Sequence, residues 1–226
     1  EIAFQCLNFN FAVVFILKNK NKQNYLTMKK MFIAFIALLA AGAMAFTGAE
    51  ETYTVDTEDS YINWRARKVT GTHNGKVMLK SGTLTFDNGE LAGGNFEIDM
   101  PTITVEDLTG NGKAKLEGHL KSPDFFSVEK HPVAKFVITD VEAKNPPEGS
   151  PYYRVSGDLT IKGITNPISF NANVKDEGSK MMASANITVD RSKYDVRYGS
   201  ESFFGALGDK AIYDNFDLYV NLVVPK

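Results

Sequence analysis

Cysteine is nearly absent from the 226 residues, with Cys6 standing alone. One thiol excludes a disulfide scaffold and any cysteine-based zinc site. An excess of charge of either sign is equally lacking, since 25 Lys and Arg face 27 Asp and Glu. No clustered basic surplus exists to meet a nucleic acid backbone, so nucleic acid is excluded as a partner. Long apolar runs are missing too. Ile2 to Leu17 is interrupted by Gln5, Asn8 and Asn10, and Phe32 to Ala41 falls short of the ~20 residues a spanning helix needs. What the chain has in quantity is aromatic residues, 16 Phe and 9 Tyr, with only 23% charged residues. That balance belongs to a folded protein.

The first 45 residues read as lying outside the fold. From Met28 the order is Met-Lys-Lys-Met, the apolar run Phe32 to Ala41, then Ala43-Met44-Ala45. A basic start, a short apolar stretch and a small-x-small site are the three parts of a secretory signal peptide, which assigns 28–45 to export and the mature protein to the periplasm or the exterior. The competing reading is a buried core helix. No cysteine follows the apolar run, so a lipoprotein anchor is excluded. Residues 1–27 read as upstream sequence translated from a wrong start, with a membrane anchor over Ile2 to Leu17 as the alternative. Without residues 1–45, a single domain of 181 residues (46–226) carries 20 basic and 26 acidic side chains. It has no thiol, and must hold together by packing.

Beyond Tyr53 the apolar residues recur at every second position, the period of half-buried strands. Ile62/Trp64/Ala66, Gly82/Leu84/Phe86, Phe96/Ile98/Met100 and Phe136/Ile138 open the series. Val155/Gly157/Leu159/Ile161, Ile168/Phe170/Ala172/Val174, Ala185/Ile187/Val189 and Phe216/Leu218/Val220/Leu222 complete it. Asp87-Asn88-Gly89 is a hairpin signal. About eight strands with turns between them predict an all-β antiparallel sandwich or barrel. One stretch breaks the rhythm: Leu116 and Leu120, with Lys113 four before Glu117, predict a short helix ending near Ser122-Pro123. Residues 145–151, rich in proline, read as a loop inside the domain.

Catalytic and metal patterns are scarce. Tyr198-Gly-Ser-Glu-Ser202 matches a nucleophile elbow only superficially. Gly110-Asn-Gly112 lacks the third glycine of a dinucleotide fingerprint. His73, His119 and His131 show no ligand spacing and read as ordinary polar histidines, and Asp56, Glu58 and Asp59 read as solvated charge. Asn186-Ile-Thr188 is a glycosylation match of the frequent chance kind. The expectation is a protein without metal or cofactor, and not an enzyme.

Trp64, Phe86, Phe96, Phe136, Phe170 and Phe216 fall on the apolar faces of different strands. In a closed barrel of about eight strands such residues either fill the interior or wall a cavity for one small ligand. Phe125-Phe126 and Phe203-Phe204 fit a filled core less well, because neighbours in extended chain face opposite ways. They suggest groups that cap or line an opening.

Several segments together resemble the YceI-like family of exported lipid-binding proteins. They are Tyr53-Thr-Val-Asp56 with Ser60-x-Ile62-x-Trp64, and His119-Leu-Lys-Ser-Pro-Asp124-Phe-Phe-Ser-Val-Glu129-Lys-His-Pro132 with Phe136. Gly157-Asp-Leu-Thr160-Ile-Lys-Gly163-Ile-Thr165 with Pro167 is the most specific, and Asp190-Arg191 with Tyr194 and Tyr198 follows. The resemblance runs from Thr52 to Pro225. It implies a lipocalin-like antiparallel β-barrel holding a hydrophobic small molecule: an isoprenoid lipid, a quinone or a fatty-acid-like chain. Trp64, Phe86, Phe96, Phe136, Phe170 and Phe216 would be the walls. Leu116, Leu120, Phe126, Phe203 and Phe204 would form the lid or mouth, and Lys68, His119 and Arg191 the head-group candidates. Lys68 stands where many members carry histidine, and the Val69–Gly75 loop differs from theirs. Lys68 is equally readable as a solvated rim lysine, and Arg191 as a brace against Asp190. A carrier that touches membranes transiently, monomeric or homodimeric, is the first functional reading. A stress-related structural barrel with a filled core and a protein partner is the second. A hydrolase or isomerase would need carboxylates or histidines converging inside the pocket.

Overall fold

The alternation in the sequence becomes a ring of antiparallel staves in a computed structural model, which describes residues 50–144 and 152–226. The proposed signal peptide, the upstream segment and the loop 145–151 lie outside the described residues. The strands are β1 (Glu50–Thr54), β2 (Asp56–Lys68), β3 (Gly71–Asp87), β4 (Glu90–Val105), β5 (Val133–Lys144), β6 (Tyr152–Ile161), β7 (Ile164–Asp176), β8 (Lys180–Asp190) and β9 (Ile212–Pro225). From β2 to β9 each pairs with the next, and β9 returns to pair with β2, closing an eight-stranded up-and-down barrel. Closure removes the free edges that an open sheet would expose. β1 prolongs the line of β2 along the far half of β3, from Glu50 opposite Asp87 to Thr54 opposite Thr83. Where the two break, Val55 N–H donates to the Gly82 carbonyl at 2.9 Å.

Bulges shift the phase of the alternation. On β3 the inward residues are Val77 and Leu79, then Leu84 and Phe86, because the pairing with β4 slips between Leu79 and Ser81. On β4, Phe96, Ile98 and Met100 give way to Ile103 and Val105. On β2, a slip against β9 leaves Ser60 buried, and its Oγ accepts the Val223 N–H at 2.9 Å. A buried polar atom is thereby satisfied where the ladder is interrupted.

Two glycines let aromatic rings lie across the backbone. A Cβ at Gly75 would stand 1.8 Å from the Thr104 carbonyl oxygen and 2.8 Å from the Trp64 ring. Trp64, opposite Gly75 on the neighbouring strand, donates its indole N–H to that same carbonyl at 3.1 Å. At Gly157 a Cβ would come within 2.6 Å of the Phe136 ring. No larger residue fits at either place without moving a wall.

The ends of the barrel differ. At one, the β3–β4 turn and the β7–β8 turn close over Phe86, Leu91, Tyr153, Met181 and Val224, all buried. Tyr53 meets Phe86 edge-on at 6.0 Å, and Tyr153 Oη accepts the Leu91 N–H at 3.4 Å. At the other end lie α1 (Gly110–Lys121), the loop after it, and the segment 191–211 with a four-residue helix α2 (Glu201–Phe204). Glu117 accepts the Val105 N–H at 2.9 Å, which fastens α1 to the end of β4. The helix stops at Ser122, whose N–H and hydroxyl both donate to the His119 carbonyl, just before Pro123.

Candidate ligand-binding site

Inside the barrel is a cavity of about 190 Å³, more than ten times the ~10–15 Å³ that one water needs. Its wall comes from every stave of the barrel. Trp64, Phe96, Phe136, Phe170 and Phe216 face it from β2, β4, β5, β7 and β9. Phe96 stacks on Phe136 at 6.3 Å, and Phe136 meets Phe170 at 5.4 Å across the bare backbone of Gly157 on the strand between them. Small residues interleave with the rings: Ala66, Ala134, Ala172, Ala183 and Ala185 also line the space. Besides Trp64, whose indole is already bonded, the lining residues of polar type are Ser184, Arg191 and Tyr213. A wall of this kind recognises apolar bulk and offers almost nothing to a polar ligand.

Leu120, Phe125 and Phe126 cover the cavity from the α1 side. The two phenylalanines are adjacent in sequence yet both buried, contrary to the expectation that neighbours face opposite ways. The chain there is a tight turn and not extended. Phe125 N–H donates to the Ser122 carbonyl, Phe126 N–H to the Leu120 carbonyl, and Ser127 takes a left-handed φ of 51°. The rings meet edge-on at 5.0 Å. Phe125 belongs to the lining although only Phe126 was expected in the lid.

Other expected site residues stand elsewhere. Phe86 does not touch the cavity; it packs on Tyr53 in the closed end, because it stands one residue from the end of β3, beyond Leu84, which does line the cavity. Leu116 is half-buried on α1, outside the lining. Phe203 and Phe204 lie exposed on α2, with the Arg197 guanidinium 5.0 Å above the Phe203 ring. Lys68 ends β2, half-buried and away from the cavity. His119 stands just behind the wall, its ring edge-on to Phe125 at 5.7 Å and to Tyr198 at 4.3 Å. Its Nε2 is buried with no hydrogen-bond partner.

Arg191 reaches the cavity wall, but its donors are committed. Nη1 donates to the carbonyls of Val196 at 2.7 Å and Tyr198 at 2.9 Å, Nη2 to Ile212 at 2.9 Å, and Nε to Tyr213 at 3.3 Å. Asp214 Oδ1 lies 3.3 Å from Nη2, out of line for a hydrogen bond but close enough to balance the charge. Burial pulls the guanidinium down from its ordinary pKa, and Asp214 and Asp190 oppose that pull. Asp190 itself caps the turn after β8, accepting the Ser192 N–H at 3.0 Å. The acid within ion-pair distance of the guanidinium is therefore Asp214, and Asp190 acts on it from farther away. Arg191 ties the segment 191–198 to the start of β9 and thereby braces that end of the barrel. Below it, burial pushes the Tyr194 phenol up to about 12.

The remaining polar candidates have local partners. His73 Nδ1 lies 2.7 Å from Asp107, and Asp56 accepts the N–H groups of Glu58 and Asp59. Among the described residues no three His, Cys, Asp or Glu side chains gather as a metal site.

The YceI-like domain family model matches residues 53–224. A UPF0312 protein of Pseudomonas putida strain W619 is 31% identical over 156 residues, covering 67% of this chain and 76% of that protein. Burkholderia cenocepacia BcnA superposes with a TM-score of 0.56 at 20% identity, over 75% of this chain and 98% of that one. A polyisoprenoid binding domain from Saccharophagus degradans, implicated in plant cell wall breakdown, gives 0.56 at 16% identity, over 76% and 97%. At those identities the solved structures speak for the barrel alone, whereas the match over 53–224 identifies the chain as a member of the YceI-like family.

Proposed function

We propose that this protein is an exported carrier that holds one isoprenoid-like amphiphile inside its barrel, for transport or storage. The observation that carries the reading is the cavity inside the barrel, with aromatic and aliphatic walls from all eight staves. An isoprenoid tail has no hydrogen-bonding groups, so a dry wall suffices, and each buried CH₂ contributes about 0.8 kcal/mol. An empty apolar cavity of this size costs roughly 4–5 kcal/mol relative to a filled core. A bound tail returns that stability. The tail would lie against Trp64, Phe96, Phe136, Phe170 and Phe216, with the head toward Tyr213, a half-exposed residue of the lining. The structurally similar Saccharophagus domain, described as polyisoprenoid-binding, supports the ligand class. The signal-peptide pattern from Met28 to Ala45 supports export to the periplasm or the medium.

Native mass spectrometry of protein purified from its own host tests the proposal. A retained apolar molecule of defined mass, displaced by a long-chain prenol, is the expected result. Delipidated protein that takes up neither prenols nor isoprenoid quinones would refute it.

A further inference from the structure

We propose that the segment 197–213 is a docking surface for a zwitterionic phospholipid bilayer, through which the amphiphile enters and leaves; this rests on the carrier reading above. Four aromatic side chains are exposed within it: Tyr198 at 50%, Phe203 at 39%, Phe204 at 60% and Tyr213 at 52%. Exposed rings in such number are unusual on a soluble surface and are the residues that settle at the membrane–water boundary.

Their position matters more than their number. Tyr213 is half-exposed and also lines the cavity, so this patch borders the hollow interior. The opposite end is sealed by Phe86, Tyr153, Met181 and Val224. Ser202 donates to Asp214, and Ile212 N–H donates to the Gly199 carbonyl at 2.8 Å, which fixes α2 beside the first residues of β9. The rings and the cavity's border at Tyr213 therefore lie together, and the mouth belongs to this surface. A tail too apolar to cross water has to pass where the mouth meets a bilayer.

Charge selects the kind of bilayer. From Lys193 to Lys210 three basic side chains (Lys193, Arg197, Lys210) meet three acidic ones (Asp195, Glu201, Asp209). The domain as a whole is acidic, with 26 acidic against 20 basic residues from position 46. A neutral tip on an acidic body complements a zwitterionic surface, and an anionic surface would repel the rest of the molecule.

Flotation of the whole protein with vesicles of pure phosphatidylcholine tests this against Phe203→Ser/Phe204→Ser, two side chains outside the cavity lining. The wild type is expected to float and the double variant to bind roughly tenfold more weakly, because interfacial affinity scales with buried apolar area. Replacing part of the lipid by phosphatidylglycerol should not strengthen wild-type binding. Transfer of a long-chain prenol from the vesicles should slow in step, while loading of the same prenol from detergent micelles stays unchanged. Wild type that fails to float, a folded double variant that floats equally, or marked preference for phosphatidylglycerol would overturn the proposal. So would a dimer, seen without vesicles, that the double variant abolishes. Phe204→Ser alone, at the most exposed ring, repeats the test should the double variant misfold. A protein that floats but accepts no prenol from detergent overturns the carrier reading and leaves the docking surface standing.

Discussion

The two ends of this barrel follow the same alternation of apolar and polar residues and reach opposite results. At the sealed end Phe86 and Tyr153 are each 3% exposed and Val224 is fully buried. Large side chains from neighbouring staves are buried together there as part of the core. Higher up, Phe170, Phe216 and Leu218 point inward yet keep accessible surface, because they face a cavity. The difference lies in what accompanies the rings. Tyr, Met, Leu and Val fill the sealed end, whereas Ala66, Ala134, Ala183 and Ala185 leave room at the other. One end stabilises the fold; the other gives up stability to keep a space.

The largest expected effect tests that division through two truncations of the same residue type. Phe86→Ala in the sealed end should cost about 3–5 kcal/mol, since it opens a void in tight packing. Phe170→Ala should cost only about 1–2 kcal/mol, because its ring already borders a void and its loss only enlarges one. Urea denaturation of delipidated protein compares them, and equal losses would erase the distinction between the ends. Next in size, Ala185→Leu should weaken prenol binding about tenfold or more by occupying the hollow, about 1.4 kcal/mol. Its delipidated stability should stay level or rise, since the added carbons fill empty space. Binding titrations followed by Trp64 fluorescence, with parallel melting curves, read both quantities.

The smallest effect concerns pH and the rim. Burial raises the Tyr194 phenol to about 12 from an ordinary value near 10. The folded state therefore keeps its proton where the unfolded chain releases it. Stability from this source is constant below pH 10 and declines between about 10 and 12. Tyr194→Phe removes a buried hydroxyl that has no partner, so it should leave neutral stability within about 1 kcal/mol and flatten that alkaline decline. Melting temperature measured against pH shows whether the slope above pH 10 belongs to this residue.

Much of the architecture was legible in the period of two. The inward sets on β6, β7 and β9 run unbroken, and each was readable from Val155, Ile168 and Phe216 onward. β3 and β4 were readable only in part, because bulges reset the phase. Val77 and Leu79 occupy odd positions and Leu84 and Phe86 even ones, so neither run predicts the other. The stretch Val69–Gly75, read as a loop, enters β3 from Gly71 onward. Five of the six aromatic residues expected as walls line the cavity, since alternation determines which face a residue takes. Alternation is silent on whether that face meets a core or a void, and so it could not separate Phe86 from Phe170. The turn that buries both Phe125 and Phe126 depends on carbonyls of α1, which local pattern does not reveal. Arg191 could be seen to matter, but its four carbonyl partners come from residues placed by tertiary structure.

The pairing that closes the ring joins Trp64 to Leu218 and Ala66 to Phe216, staves far apart in the chain. Contacts of such separation form late and slowly, because a long loop must be ordered before they repay its entropy. Phe216, Leu218 and Val220 also supply one side of the cavity. A chain synthesised only as far as β8 has two unpaired edges and a trough in place of a chamber. The lining is thus completed by the final strand, in the same step that removes the last sticky edge.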